Sequence, residues 1–257
     1  MSNHGRFIWY ELITTDLDGA SRFYEDVVGW THEDMAGPGM TYRVVNADGK
    51  GVGGMMLIPQ EALTMNVPPN WSGYVCVDDC DASAEKIKSL GGSVIRAPDD
   101  IPDIGRFAVV ADPGGAVFEI MTPLPMDPPR PHVGPGTKGH VSWHELYAGG
   151  EVQAAFDFYA ELFGWKKDET MNMGPMGVYQ LFKNHDGVVG GMMTKPEQVQ
   201  RAGWLYYFQV GEIDRAVLRV TNGGGKVVNG PMEVPGGDWI IQGVDPQGAM
   251  FALVGNR

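Results

Sequence analysis

Cysteine and positive charge are both scarce in this chain. Its 257 residues include two cysteines, Cys76 and Cys80, too few for a disulfide framework. Cys76 lies in the apolar run Tyr74-Val75-Cys76-Val77 and reads as a small buried hydrophobe. Lys and Arg total 19 against 32 Asp and Glu, a formal charge of −13. Nucleic-acid phosphates demand clustered cations, so a nucleic-acid partner is not expected, and an anionic membrane surface is disfavoured. No apolar run approaches the ~20 residues of a membrane-crossing helix. The opening MSNHGRFIWY lacks a signal-peptide pattern, so the expectation is a cytoplasmic protein. Gly-x-Ser-x-Gly, His-Glu-x-x-His and Cys-x-x-Cys motifs are missing as well. Gly51-Val52-Gly53-Gly54 and Gly223-Gly224-Gly225-Lys226 suggest phosphate loops superficially, but neither has the strand–loop–helix context such a loop needs.

What is present is present twice. Residues 8–30 and 142–165 share Trp-x-Glu-Leu, then Phe-Tyr, then Gly-Trp. GVGGMM at 51–56 answers GVVGGMM at 187–193, and Asp-Pro-x-Gly at 112–115 answers the same motif at 245–248. A finer repeat lies inside each copy: Asp79-Cys80-Asp81-Ala82 falls on Asp16-Leu17-Asp18-Gly19 after a shift of 63 residues, and Asp214 heads a matching stretch. The chain is therefore four modules of roughly 60 residues, each a strand, a short helix and several returning strands.

The boundary between the halves is the stretch 123–137, which carries six prolines and suits an extended connector. Domain one is placed at 1–124, the linker at 125–137 and domain two at 138–257, each half long enough for a core of its own. Phe7 to Ile13 is a strand with Trp9, Glu11 and Ile13 on one face. Asp16 or Asp18 caps the helix that follows, Phe23, Tyr24 and Val27 form its apolar stripe, and Gly29 stops it. Phe158, Tyr159, Leu162 and Gly164 repeat that pattern. Asp-Pro-x-Gly reads as a turn between strands and not as a ligand motif.

A strand, an Asp-led helix with Phe-Tyr and Gly, and a closing Asp-Pro-x-Gly-x-x-x-Glu strand resemble the vicinal oxygen chelate superfamily. That group includes glyoxalase I, the extradiol dioxygenases and the bleomycin-resistance proteins. The resemblance implies an α+β fold: four βαβββ modules paired into two glyoxalase/bleomycin-resistance-like domains, with curved mixed sheets enclosing a cleft in each. It also implies, in the enzymes, a divalent metal held by His or Gln from a module's first strand and Glu from its last. Carried onto this sequence, the first-strand positions are Trp9, Ser72, Trp143 and about Leu205, and the last-strand positions are Met56, Glu119, Met193 and Ala252. One carboxylate stands among eight places, and indole, thioether and methyl groups do not hold such a cation. No metal or other cofactor is expected. If Zn, Ni, Mn or Fe is bound, the candidates are Glu119 and His144, the latter fourteen residues before Phe158.

By strand alternation Glu11 shares the face of Trp9, and Glu145 and Tyr147 that of Trp143. Glu119 and Met121 on the last strand, with Tyr74 on the fifth, complete the expected ligand-binding set. Aromatic walls around carboxylates suit a flat aromatic or cationic organic molecule. Two readings follow: a binding protein of the bleomycin-resistance type, or a glyoxalase-like lyase or dioxygenase using Glu119 with other ligands. Either would act as a monomer of two fused domains or as a homodimer.

Overall fold

The computed structural model describes residues 3–37, 40–125 and 133–257, so residues 126–132 of the proline-rich linker lie outside the described residues. The four modules are all there. Module one is β1 (Phe7–Thr14), α1 (Leu17–Val28), β2 (Thr31–Gly37), β3 (Met40–Ala47) and β4 (Lys50–Leu57), followed by the short α2 (Gln60–Thr64). Module two is β5 (Asn70–Cys76), α3 (Cys80–Ser89), β6 (Ser93–Ile101), β7 (Gly105–Ala111) and β8 (Val117–Pro123). Module three is β9 (Val141–Ala148), α4 (Val152–Phe163), β10 (Lys166–Asn172), β11 (Val178–Asn184) and β12 (Gly187–Thr194). Module four is β13 (Gly203–Glu212), α5 (Ile213–Asn222), β14 (Lys226–Glu233), β15 (Trp239–Val244) and β16 (Met250–Asn256). The first half of the chain forms an eight-stranded sheet in the order β2-β3-β4-β1-β5-β8-β7-β6. The second half forms β10-β11-β12-β9-β13-β16-β15-β14, the same order. First and last strands of each module run parallel, and the consecutive strands within each module's returning meander pair antiparallel, giving the mixed α+β class expected.

The helices form for the reasons their ends suggest. Asp16 and Asp79 accept from the backbone N–H of Gly19 and Ala82, both at 2.9 Å, and so cap α1 and α3. Gly29 and Gly164 end α1 and α4 in the left-handed conformation, at φ 90° and 72°, which favours glycine. Asp214 differs from Asp16: it lies in the first turn of α5, whose cap residue is Glu212 and has no side-chain capping bond.

The cores do not follow the halves. One compact unit comprises Met1–Ile8, Ser72–His132 and His144–Trp204, and the other Trp9–Trp71, Val133–Trp143 and Leu205–Arg257. The first unit joins modules two and three, the second modules one and four. The reason is visible in the repeated motifs. In the second unit the Tyr24 hydroxyl of α1 donates to Asp245 of the last Asp-Pro-x-Gly at 3.1 Å, and Trp71 Nε1 donates to Tyr24 at 2.8 Å. In the first unit Tyr159 of α4 donates to Asp112 at 3.0 Å, and Trp204 Nε1 donates to Tyr159 at 3.1 Å. Each tyrosine is fully buried amid aromatic rings, Tyr24 against Phe251, Trp30 and Phe208, and Tyr159 against Phe118, Phe163 and Trp165. A buried phenol needs a partner for its hydroxyl, and the aspartate supplies it. Asp-Pro-x-Gly is thus more than a turn: Asp112 holds Ala116 N–H at 2.8 Å while receiving Tyr159, and Asp245 does the same for Ala249 and Tyr24. Burial, as the largest cause, raises the pKa of both carboxyls above the usual range.

Candidate functional site

The face built on β1 and β3 belongs to the second unit. β1 alternates as expected, with Leu12 and Thr14 buried in the core and Trp9 and Glu11 on the opposite face. Trp9 Nε1 donates to the Tyr42 hydroxyl at 2.8 Å, and that hydroxyl donates to Glu11 Oε2 at 2.9 Å. Tyr42 thus links the indole of Trp9 to the Glu11 carboxylate through hydrogen bonds. Its neighbour Arg43 anchors β3 from the core side. The buried guanidinium forks onto Asp34 at 2.6 and 2.9 Å and reaches Asp18 and Ser21 at 2.9 Å. Those bonds hold the Asp34 carboxyl below its ordinary pKa.

The face on β5 and β8 belongs to the first unit. Tyr74 stands beside Glu119 and Cys76 beside Met121, in parallel register. Glu119 is only 7% exposed, and the Ser72 hydroxyl donates to its Oε2. The last-strand and first-strand ligand positions of module two are therefore a hydroxyl–carboxylate pair.

In module three Trp143, Glu145 and Tyr147 share one face of β9, while His144 and Leu146 are buried on the other. His144 stacks on Phe7 with ring centroids 4.0 Å apart, and its Nδ1 donates to the Val189 carbonyl at 2.7 Å. Burial pushes its pKa down to about 4, so it is a neutral core histidine near neutrality. The alternative of His144 as a metal ligand therefore has the ring on the face away from Glu145. Among the described residues no three His, Cys, Asp or Glu side chains gather where they could hold a metal ion. A divalent cation of this type takes three or four N or O ligands.

Tyr42, Tyr207 and Gln242 were not among the expected site residues. Module four carries Gln242, whose Nε2 donates to the Tyr207 hydroxyl at 2.7 Å and whose Oε1 accepts from Asn229 at 3.2 Å. Only the recurrence of Tyr42 at Tyr179, each before a strand partner of the paired glycines, could have marked the first of these.

These features define a protein of paired βαβββ modules with aromatic–carboxylate faces. The chain belongs to the Glyoxalase/Bleomycin resistance protein/Dioxygenase superfamily, whose family model matches residues 6–120 and 139–253. It is 30% identical over 251 residues to "Putative glyoxylase CFP32" of Mycobacterium bovis, covering 96% of this chain and 93% of that one. It is 31% identical over 260 residues to anthracycline biosynthesis protein DnrV of Streptomyces peucetius, covering 96% and 91%. Among solved structures, the Mn(II)-bound glyoxalase of Novosphingobium aromaticivorans matches 99% of this chain and 83% of its own with a TM-score of 0.64 at 16% identity. That likeness shows the fold.

Proposed function

We propose that this protein binds a small organic molecule, flat and aromatic or cationic, against its aromatic–carboxylate faces without a resident metal. The observation that carries the reading is the Trp9–Tyr42–Glu11 chain: an indole and a phenol fix a carboxylate on the side of β1 turned away from the core. A ring can stack on such a wall while its cationic group pairs with the glutamate. Support comes also from the Ser72–Glu119 pair, which occupies the one ligand-position carboxylate with a hydroxyl donor. A second reading, a glyoxalase-like lyase or dioxygenase with Zn, Ni, Mn or Fe, is favoured by the Mn(II)-bound structural neighbour. Its weakness is the donor set described above. Nucleic-acid and membrane partners are not part of either reading, and no described helix is long and apolar enough to cross a membrane.

Daunorubicin suits the test, because a relative is named for anthracycline biosynthesis and the probe joins fused aromatic rings to an ammonium group. It should quench tryptophan fluorescence saturably, and Glu11→Gln should weaken its binding by roughly tenfold. Metal analysis of protein purified without a His tag should find no stoichiometric divalent metal. Near-unit Mn, Fe, Ni or Zn would overturn the metal-free reading, and absence of saturable quenching would overturn the ligand class.

A further inference from the structure

The paired glycines Gly53-Gly54 and Gly190-Gly191 recur in both halves, and no phosphate site explains them. Their surroundings do. Gly54 is the strand neighbour of Glu11 on β1 and of Val44 on β3, two residues along from Tyr42. A methyl group on Gly54 would overlap the Tyr42 ring and hydroxyl. The ring therefore lies flat across the bare backbone of β4, and that path carries its hydroxyl over one strand to Glu11. At Gly51, by contrast, a Cβ would only reach ordinary contact with the Trp9 ring edge at 3.4 Å, so the overlap is particular to Gly54. The second half repeats the seat within the first unit: a methyl on Gly191 would overlap the Tyr179 ring, and Gly191 is the strand neighbour of Glu145.

We propose that Tyr42 is a positioning residue for Glu11, seated by Gly54, and that Tyr179 on Gly191 plays the same part for Glu145. The glycines serve to let an aromatic ring cross a strand. A phenol that donates to a carboxylate favours its charged form and fixes the direction of its remaining lone pairs. Tyr42 thereby contributes to both the charge and the aim of the group that would meet a ligand. This inference rests on the proposed function only for its use, and its geometry can be tested without any ligand.

The measurement is a ¹³C NMR titration of the glutamate side-chain carboxyls, with the Glu11 signal assigned by Glu11→Gln. Tyr42→Phe keeps the ring and removes the hydroxyl, and should raise the Glu11 pKa by about one pH unit. Gly54→Ala should raise it in the same direction by displacing the ring, and the double variant should add little to Tyr42→Phe alone. Should Gly54→Ala fail to fold, Tyr42→Phe decides alone. An unchanged Glu11 titration in Tyr42→Phe overturns the proposal, even if daunorubicin binding weakens. A shifted Glu11 with unchanged daunorubicin binding upholds the positioning role and counts against the ligand reading instead.

Discussion

On β8, Glu119 stands in register between Tyr74 of β5 and Val109 of β7; on β16 the matching residue is Ala252, between Tyr207 of β13 and Gln242 of β15. The backbone frame is the same and the chemistry is not. Where the carboxylate is missing, the small Ala252 leaves the amide of Gln242 a path across its strand to Tyr207. Where it is present, Ser72 takes the place answered by Leu205 and donates to it. The core shows the opposite pattern. Trp71–Tyr24–Asp245 and Trp204–Tyr159–Asp112 agree bond for bond, with donor–acceptor distances within a few tenths of an ångström. The duplicated scaffold has kept its buried polar anchors twice, while the same face carries a carboxyl group in module two and an amide in module four. A buried anchor has few acceptable substitutes because each lost partner leaves a desolvated group unpaired. A face that meets solvent or a ligand has many.

The largest test of this contrast is in the anchors. Asp112→Ala and Asp245→Ala each remove a buried acceptor from a tyrosine and a turn, and each should cost about 3 kcal/mol in urea unfolding. Equal costs support the duplicated core; a threefold difference would break it. On the faces, Gln242→Leu should cost about 1 kcal/mol and Ser72→Ala a similar amount, both well short of the anchors.

The anchors also carry a pH signature. Their folded pKa values lie above the ordinary aspartate value, so between that value, about 3.9, and the raised one the folded state binds more protons than the unfolded chain. Their stability contribution is present at the low end of this window and falls as pH rises through it. Asp34, Asp81 and Asp168, held down by Arg43, Arg106 and Lys183, act with the opposite sign and below that value. Asp112→Asn with Asp245→Asn should flatten the fall above pH ~4 and leave the acid limb in place. Urea midpoints from pH 3 to 7 check it, and an unaltered profile would show that the anchors titrate alike folded and unfolded. The smallest expected effect is at Glu119. Wild-type and Glu119→Gln protein should melt within a degree or so of each other at neutral pH, and EDTA should shift neither. A wild-type melt that drops on chelation, with the variant insensitive, would put a metal at Glu119.

Much of this was legible in the sequence because it is local. The repeat, the strand face of Trp9 and Glu11, the caps at Asp16 and Asp79 and the stop at Gly29 all follow from periods and capping chemistry within a few residues. Glu119 was legible as the one carboxylate at a family ligand position. Pairing across the chain was not. Phe-Tyr and Asp-Pro-x-Gly were each visible twice, but nothing in their spacing says that the first tyrosine meets the second aspartate. Tyr42 escaped for a related reason: a ring lying across a strand depends on an absent side chain two positions away on the neighbouring strand. His144 differs again, because one residue's shift along β9 decides between core and open face, and its burial, its bond to Val189 and its stacking on Phe7 show which side it takes.

The Tyr24–Asp245 bond has a kinetic consequence. Its partners are 221 residues apart in the chain, so the core that receives α1 cannot close while synthesis is still in the first half. At the usual ~5–20 residues per second, Phe23 and Tyr24 emerge ten seconds or more before the strands that cover them. Module one then waits on the ribosome with its aromatic helix stripe unmet, and long-range closure of this kind slows folding. Refolding of the full chain should therefore be slower than its module size suggests, and nascent chains stopped before module four should be the ones that chaperones hold.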